Sequence, residues 1–227
     1  NNATSTATAP IGSSPVASGT LTLSGTASVG STLSMTNNLT INGYPTPSVS
    51  TQWFRCTSAL RTQTTNTPAF CTAISSATGD TYSLVSADSG TFISVARIAT
   101  STAGTLTVYS ASTTTAIGQA PTNSALPVIT GNAAVNQTLS VTPGTWSGSP
   151  TPRLSYQWLS CTTADASSCS DISGATRTTL RLTTDQISRY IRIKEIATNS
   201  ITSNNTTSTA TAPIGSSPVA SGTLTLS

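Results

Sequence analysis

The chain has 227 residues, of which 7% are charged, with no histidine and a formal net charge of +3. Nine scattered basic residues do not make the clustered stripe of a nucleic-acid binder, and no run approaches the roughly 18 consecutive apolar residues that a membrane helix needs. With so few groups titrating near neutrality, stability is expected to be nearly flat between about pH 5 and 9.

In chain order, short alternating runs divided by Gly, Pro, Asn and Ser turns predict strands near 19–24, 31–36, 48–57, 70–75, 81–86, 91–100 and 104–115. A second set follows near 127–131, 137–142, 153–161, 169–173, 178–184, 189–198 and 201–212. Thr105-Leu106-Thr107-Val108-Tyr109 and Leu180-Arg181-Leu182 show the period of two clearly. No stretch of ten or more has a helical period. Residues Thr114–Pro127 and Thr211–Ser221 read as semi-rigid linkers of Pro, Gly and small polar residues.

The two sets are diverged copies. Thr51-Gln52-Trp53-Phe54-Arg55-Cys56 aligns with Tyr156-Gln157-Trp158-Leu159-Ser160-Cys161, and Gly43-Tyr44-Pro45-Thr46-Pro47 with Gly148-Ser149-Pro150-Thr151-Pro152, both 105 residues apart. Downstream, Cys71, Ile74 and Ala77-Thr78 match Cys169, Ile172 and Ala175-Thr176, and Phe92-Ile93 with Ala99-Thr100 match Tyr190-Ile191 with Ala197-Thr198. A longer repeat encloses both: residues 1–24 recur as 204–227, differing only at Ala3 against Thr206. Identity at that level over a Ser/Thr-rich stretch exceeds what packing demands, so it implies duplication of a 203-residue unit. The natural product is therefore expected to be longer than this chain. Residues 1–13 read as the last strand of a preceding repeat, 14–118 and 119–213 as two domains, and 214–227 as the start of the next repeat.

Seven strands per copy, a tryptophan on the third, and Asp88-Ser89-Gly90-Thr91-Phe92 before the sixth resemble the immunoglobulin fold. The second copy keeps Asp185 and Tyr190 of that turn. The Pro-Thr-Pro, Gln-Trp-x-x-Cys and Ala-Thr blocks together are similar to the immunoglobulin-like repeats of very large bacterial cell-surface proteins. The resemblance implies an all-β chain of tandem β-sandwich domains, about seven strands each. The usual disulfide between the second and sixth strands of that fold has no cysteines here, so Trp53 and Trp158 are expected to pack as core tryptophans on aliphatic neighbours.

Each copy holds one cysteine pair, Cys56 with Cys71 and Cys161 with Cys169. Pairing across the hairpin of strands three and four is the simplest connectivity, and the unequal spacings argue against a metal site. Structural disulfides imply an extracellular or cell-surface location. Asn2, Asn38, Asn136, Asn204 and Asn205 head Asn-x-Ser/Thr sequons open to glycosylation, although chance also yields them in so Thr-rich a chain. Clustered acids for calcium are missing from the sequence, and no cofactor is expected.

A nucleophilic serine or cysteine would need a base that histidine cannot supply here. The carboxylate pairs Asp80 with Asp88, Asp165 with Asp171, and Asp185 with Glu195 read as turn residues, Glu195 excepted. Arg97 and Glu195 occupy matching places on the sixth strand between inward-facing residues. One reading is a strand twisted so that this position meets solvent; the other is a charge pair between neighbouring domains or chains. The expected role is a non-catalytic repeat of a long extracellular fibre, sheath or surface filament. The alternatives are the stalk of an adhesin, or a carbohydrate-binding or spacer module using Trp146 and Tyr44. Expected partners are further copies of the repeat in the same chain and neighbouring identical chains. The Thr-rich strands 104–115 and 201–212 lack charge or proline to protect their edges.

Overall fold

The computed structural model describes residues 11–216. The chain divides into two compact units between Gln119 and Ala120. Of the expected terminal segments, residues 1–10 and 217–227 lie outside the described residues, as does Asn2.

Unit 1 carries β1 (Ser13–Ser18), β2 (Leu21–Ser24), β3 (Thr32–Asn37), β4 (Thr40–Tyr44), β5 (Ser48–Cys56), β6 (Cys71–Ala73), β7 (Thr81–Ser83), β8 (Phe92–Ser101) and β9 (Gly104–Tyr109). Its main layers are a three-stranded sheet, β2-β3-β7, and a four-stranded sheet, β6-β5-β8-β9. Unit 2 repeats the plan with β10 (Gln119–Ala125), β11 (Val128–Thr130), β12 (Thr138–Thr142), β13 (Thr145–Ser149), β14 (Arg153–Cys161), β15 (Cys169–Asp171), β16 (Thr179–Arg181), β17 (Tyr190–Thr198) and β18 (Ser203–Thr207). Its sheets are β11-β12-β16 and β15-β14-β17-β18. Each unit is thus an antiparallel, immunoglobulin-like sandwich.

Alternation along the strands sends one face of each sheet inward. In unit 1, Leu21 and Leu33 from one sheet meet Trp53, Ile93 and Val95 from the other, with Leu84 and Ile117 closing the core. In unit 2, Leu139 meets Trp158, Ile191 and Ile193, closed by Val135, Leu182 and Ile214. Both tryptophans are fully buried. Their indole N–H groups donate to Gly79 O (2.7 Å) and Arg177 O (2.8 Å), which removes the cost of burying an unpaired donor. Trp53 departs from the aliphatic expectation, because Tyr82 stacks on it at 5.6 Å between ring centroids. Before β3 and β12 the backbone takes positive φ at Gly25 (+121°) and Gly131 (+118°), where a Cβ would meet a carbonyl oxygen at 2.6 Å.

Two strands per unit were not foreseen. β1 pairs with β4 and β10 with β13, as two-stranded additions to each sandwich. The segment 114–127 is therefore not simply a linker, since β10 occupies 119–125. Pro15, Gly43, Pro121 and Gly148 lie in these strands, and such residues are tolerated at edges but erase the alternating pattern. The expected strands 104–115 and 201–212 are also shorter, ending at Tyr109 and Thr207. Beyond those points single residues still bond back, as in Ser110 N–H to Val95 O (2.8 Å) and Ser208 N–H to Ile193 O (2.9 Å).

Candidate functional site

The cysteines pair within each unit, Cys56 with Cys71 and Cys161 with Cys169. Each pair sits at directly opposed positions of neighbouring strands in one sheet, β5 with β6 and β14 with β15. No described cysteine is free. Gln52 and Gln157, each beside a core tryptophan, donate to Ile74 O (2.7 Å) and Ile172 O (2.8 Å) and hold the hairpin against the third strand.

Asp88 is fully buried and serves the core of unit 1. Its Oδ1 accepts from Arg55 Nε (2.9 Å), and its Oδ2 accepts from Tyr82 Oη (3.0 Å) and Val85 N–H (2.8 Å). Burial, followed by the Asp88 hydrogen bond and charge, raises the Tyr82 pKa. The matching residue in unit 2 is Gln186, whose Oε1 accepts from Thr183 N–H (2.8 Å). A neutral amide there does the capping alone, with Ser160 where unit 1 has Arg55 and Leu180 where it has Tyr82. Asp80, Asp165, Asp171 and Asp185 are exposed. Among the described residues no group of three His, Cys, Asp or Glu could hold a metal ion, and no helix is long and apolar enough to cross a membrane.

Glu195 corrects the reading of its position as a solvent-facing twist, for it is fully buried. Its Oε2 accepts from Trp146 Nε1 (2.8 Å) and from Gly144 N–H (3.0 Å), both at the start of the unforeseen strand β13. A Cβ at Gly144 would stand 2.8 Å from that same oxygen and 2.3 Å from Ala125 O, so only glycine leaves room for the carboxylate. Tyr156 lies opposite Glu195 in the ladder, and burial, then the Glu195 charge and hydrogen bond, raise its pKa. Glu195 is thus engaged within its own unit. Unit 1 has Leu39, Ile41 and Thr51 at the corresponding places. There Arg97 is half-buried and donates from Nη1 to Thr51 Oγ1 (2.6 Å), while its Nε has no hydrogen-bond partner.

Trp146 is half-buried and its N–H is spent on Glu195. Tyr44 is 51% exposed. A cleft of about 280 Å³ in unit 1 is lined by Leu23, Ala27, Leu33 and residues 111–114, among other small residues, and carries no titratable group. The sequon residues Asn38, Asn136, Asn204 and Asn205 are all exposed.

The last strands differ between the units. In unit 1 the long hairpin loop folds over the outer edge: Tyr109 and Thr64 exchange backbone hydrogen bonds (2.8 and 3.1 Å), and Ser112 N–H donates to Leu60 O (2.8 Å). Gln63 anchors that loop to Leu21 N–H (2.6 Å) and Gly19 O (3.1 Å). The edge of 104–115, expected to be unprotected, is therefore covered in part. In unit 2 the loop is seven residues shorter, with cysteines 8 rather than 15 apart. Among its described residues no such backbone pairing covers the edge beyond Ser208.

No family model matches the chain, and no curated protein matches it either. Among solved structures it is similar to the crystal structure of Dscam1 isoform 6.9, N-terminal four Ig domains, at 12% identity and a TM-score of 0.34. That alignment covers 84% of this chain and 42% of the other. The corresponding Dscam1 isoform 1.9 structure aligns at 13% identity and a TM-score of 0.28, over 78% of this chain and 40% of the other. The chain thus spans less than half the length of these structures.

Proposed function

We propose that the chain is one period of a long extracellular tandem array with a structural role, as a fibre, sheath or surface filament. One observation carries this reading: the residues that complete the fold of unit 2, 204–215, recur almost unchanged as residues 1–12. In a chain built of such periods, residues 1–12 would complete a preceding copy of unit 2. The internal chemistry agrees with it. The buried carboxylates Asp88 and Glu195 are consumed in holding their own units together. Two disulfides support an oxidising compartment for the chain.

Electron microscopy of the native polypeptide tests the reading. Two sandwiches per period, on ordinary strand lengths, give an axial repeat of about 70–90 Å. A regular filament or sheet with that repeat supports the fibre. A thin string of beads ending in a distinct globule transfers the function to an adhesin, with this chain as its stalk.

A further inference from the structure

The last strands of the two units carry the same alternation. Ser110 N–H bonds Val95 O in unit 1, and Ser208 N–H bonds Ile193 O in unit 2 (2.8 and 2.9 Å). Farther on, Thr113 N–H bonds Ile93 O, and Thr211 N–H bonds Ile191 O (2.8 and 3.0 Å). The residue before each of these therefore turns its backbone groups away from the sheet. Those residues are Tyr109 and Ser112 in unit 1, and Thr207 and Ala210 in unit 2.

Unit 1 shows what fits such an edge. Residues 60–64 of its hairpin loop lie there, with Thr64 antiparallel to Tyr109. Thr64 and Tyr109 exchange two hydrogen bonds, and Leu60 O takes Ser112 N–H. All three are backbone bonds and ask nothing of the side chains. Unit 2 keeps the edge without the loop. Counting from Gly25 and Gly131, Pro127 replaces Leu21, whose N–H anchors the loop through Gln63. Neither Thr207 nor Ala210 has an outward backbone partner among the described residues. Beside them stands Arg192, where unit 1 has Ser94. Its Nη1 donates to Ser208 O (2.5 Å) and its Nη2 to Ala164 O, while its Nε is buried without a partner. Among the described residues no ion pair engages it. Open backbone and an uncompensated guanidinium thus meet on one edge.

We propose that the edge 207–210 of unit 2 binds an extended strand of a partner polypeptide, antiparallel, with an acidic side chain beside Arg192. The strand takes the place that 60–64 hold in unit 1. One of its residues exchanges N–H and C=O with Thr207, and the residue four places earlier accepts from Ala210 N–H. Strand addition draws its affinity from main-chain bonds and its selectivity from a few side chains; here the selective element is charge. A second copy of the chain is the poorer occupant. Its segment of this shape is already engaged in its own unit 1, and it carries Arg61, which Arg192 repels. The surface belongs to unit 2 alone and does not depend on the chain being one period of an array.

The probe is a synthetic peptide of residues 58–66 with Arg61→Glu, titrated into the isotope-labelled full chain. The amide resonances of Thr207 and Ala210 should shift and saturate by about 5 mM peptide, the regime of a few backbone hydrogen bonds. At low salt the peptide that keeps Arg61 should bind about threefold more weakly, and Arg192→Ala in the chain should erase that difference. Thr64→Pro in the peptide removes the donor that meets Thr207 and should abolish the shifts, with the chain untouched. Thr207→Pro acts from the other side, at an edge where proline leaves the ladder to β17 intact. The proposal is overturned if Thr207 and Ala210 show no saturable shift, or if the shifts survive Thr64→Pro. Shifts confined to Tyr109 and Ser112 also overturn it, because the peptide would then be displacing the clamp of unit 1. Equal affinity for the two peptides removes the acidic preference. Self-association of the chain that Thr207→Pro abolishes would give the edge to a second copy instead.

Discussion

Asp88 and Gln186 occupy one structural position and show how much of its energetics depends on neighbours. Both cap the turn before the sixth main strand, through Val85 N–H and Thr183 N–H respectively. Only Asp88 also takes a guanidinium and a phenol, so removing it strands three donors at once. Asp88→Ala is expected to cost about 3 kcal/mol in urea denaturation, the range for breaking a buried hydrogen-bonded charge. Arg55→Ser, Tyr82→Leu and Asp88→Gln together reproduce the unit 2 arrangement and should cost less than Asp88→Ala alone; a larger loss would refute the equivalence. The tyrosines set the pH response. The folded pKa values of Tyr82 and Tyr156 are raised, so their contribution is complete below about pH 10 and is lost as pH climbs through the folded values. The melting temperature should therefore stay level to about pH 9 and fall above about pH 10, and Tyr82→Phe should soften that fall. Glu195 was not legible as a core residue. Its partner Trp146 stands on β13 and Gly144 just before it, a stretch that Pro143, Gly144 and Gly148 concealed, so the sequence showed a charge between inward-facing residues and nothing to receive it.

At the scale of elements, the disulfides act on single hairpins. Loops of 15 and 8 residues correspond to about 3 and about 2.5 kcal/mol of stabilisation in the chain-entropy account. Reduction should lower the denaturation midpoint of both units, and thiol labelling of unreduced protein should find no reactive cysteine. Both cysteine pairs were legible from the repeat alone, because each copy holds exactly two. The seven main strands of each unit were legible because Leu33, Trp53, Ile93 and their counterparts alternate with polar residues. β1, β4, β10 and β13 were not, since Pro15 and Pro121 interrupt any alternation and edge strands make few demands on their outward side chains. The clamp formed by Leu60, Gln63 and Thr64 escaped notice for a related reason. It is a loop pairing through its backbone, which leaves little trace in side-chain pattern.

At the scale of the whole chain, the two units share a core plan and differ in their hairpin loops and polar interiors. The cores are aliphatic and tryptophan-centred in both, whereas the buried charge lies before the sixth main strand in unit 1, at Asp88, and on that strand in unit 2, at Glu195. Because each disulfide links neighbours within one sheet, no disulfide among the described residues ties the two sheets of a sandwich together. Under tension a unit can open completely, while its bridge keeps a fixed stretch of chain from ever being pulled straight. That hidden length is about 50 Å in unit 1 and about 28 Å in unit 2 at full extension. Single-molecule stretching should show contour increments longer by those amounts after reduction, and identical increments with and without reductant would contradict the pairing. The redox state of the surroundings thus sets how far each segment of the chain can lengthen before it bears load.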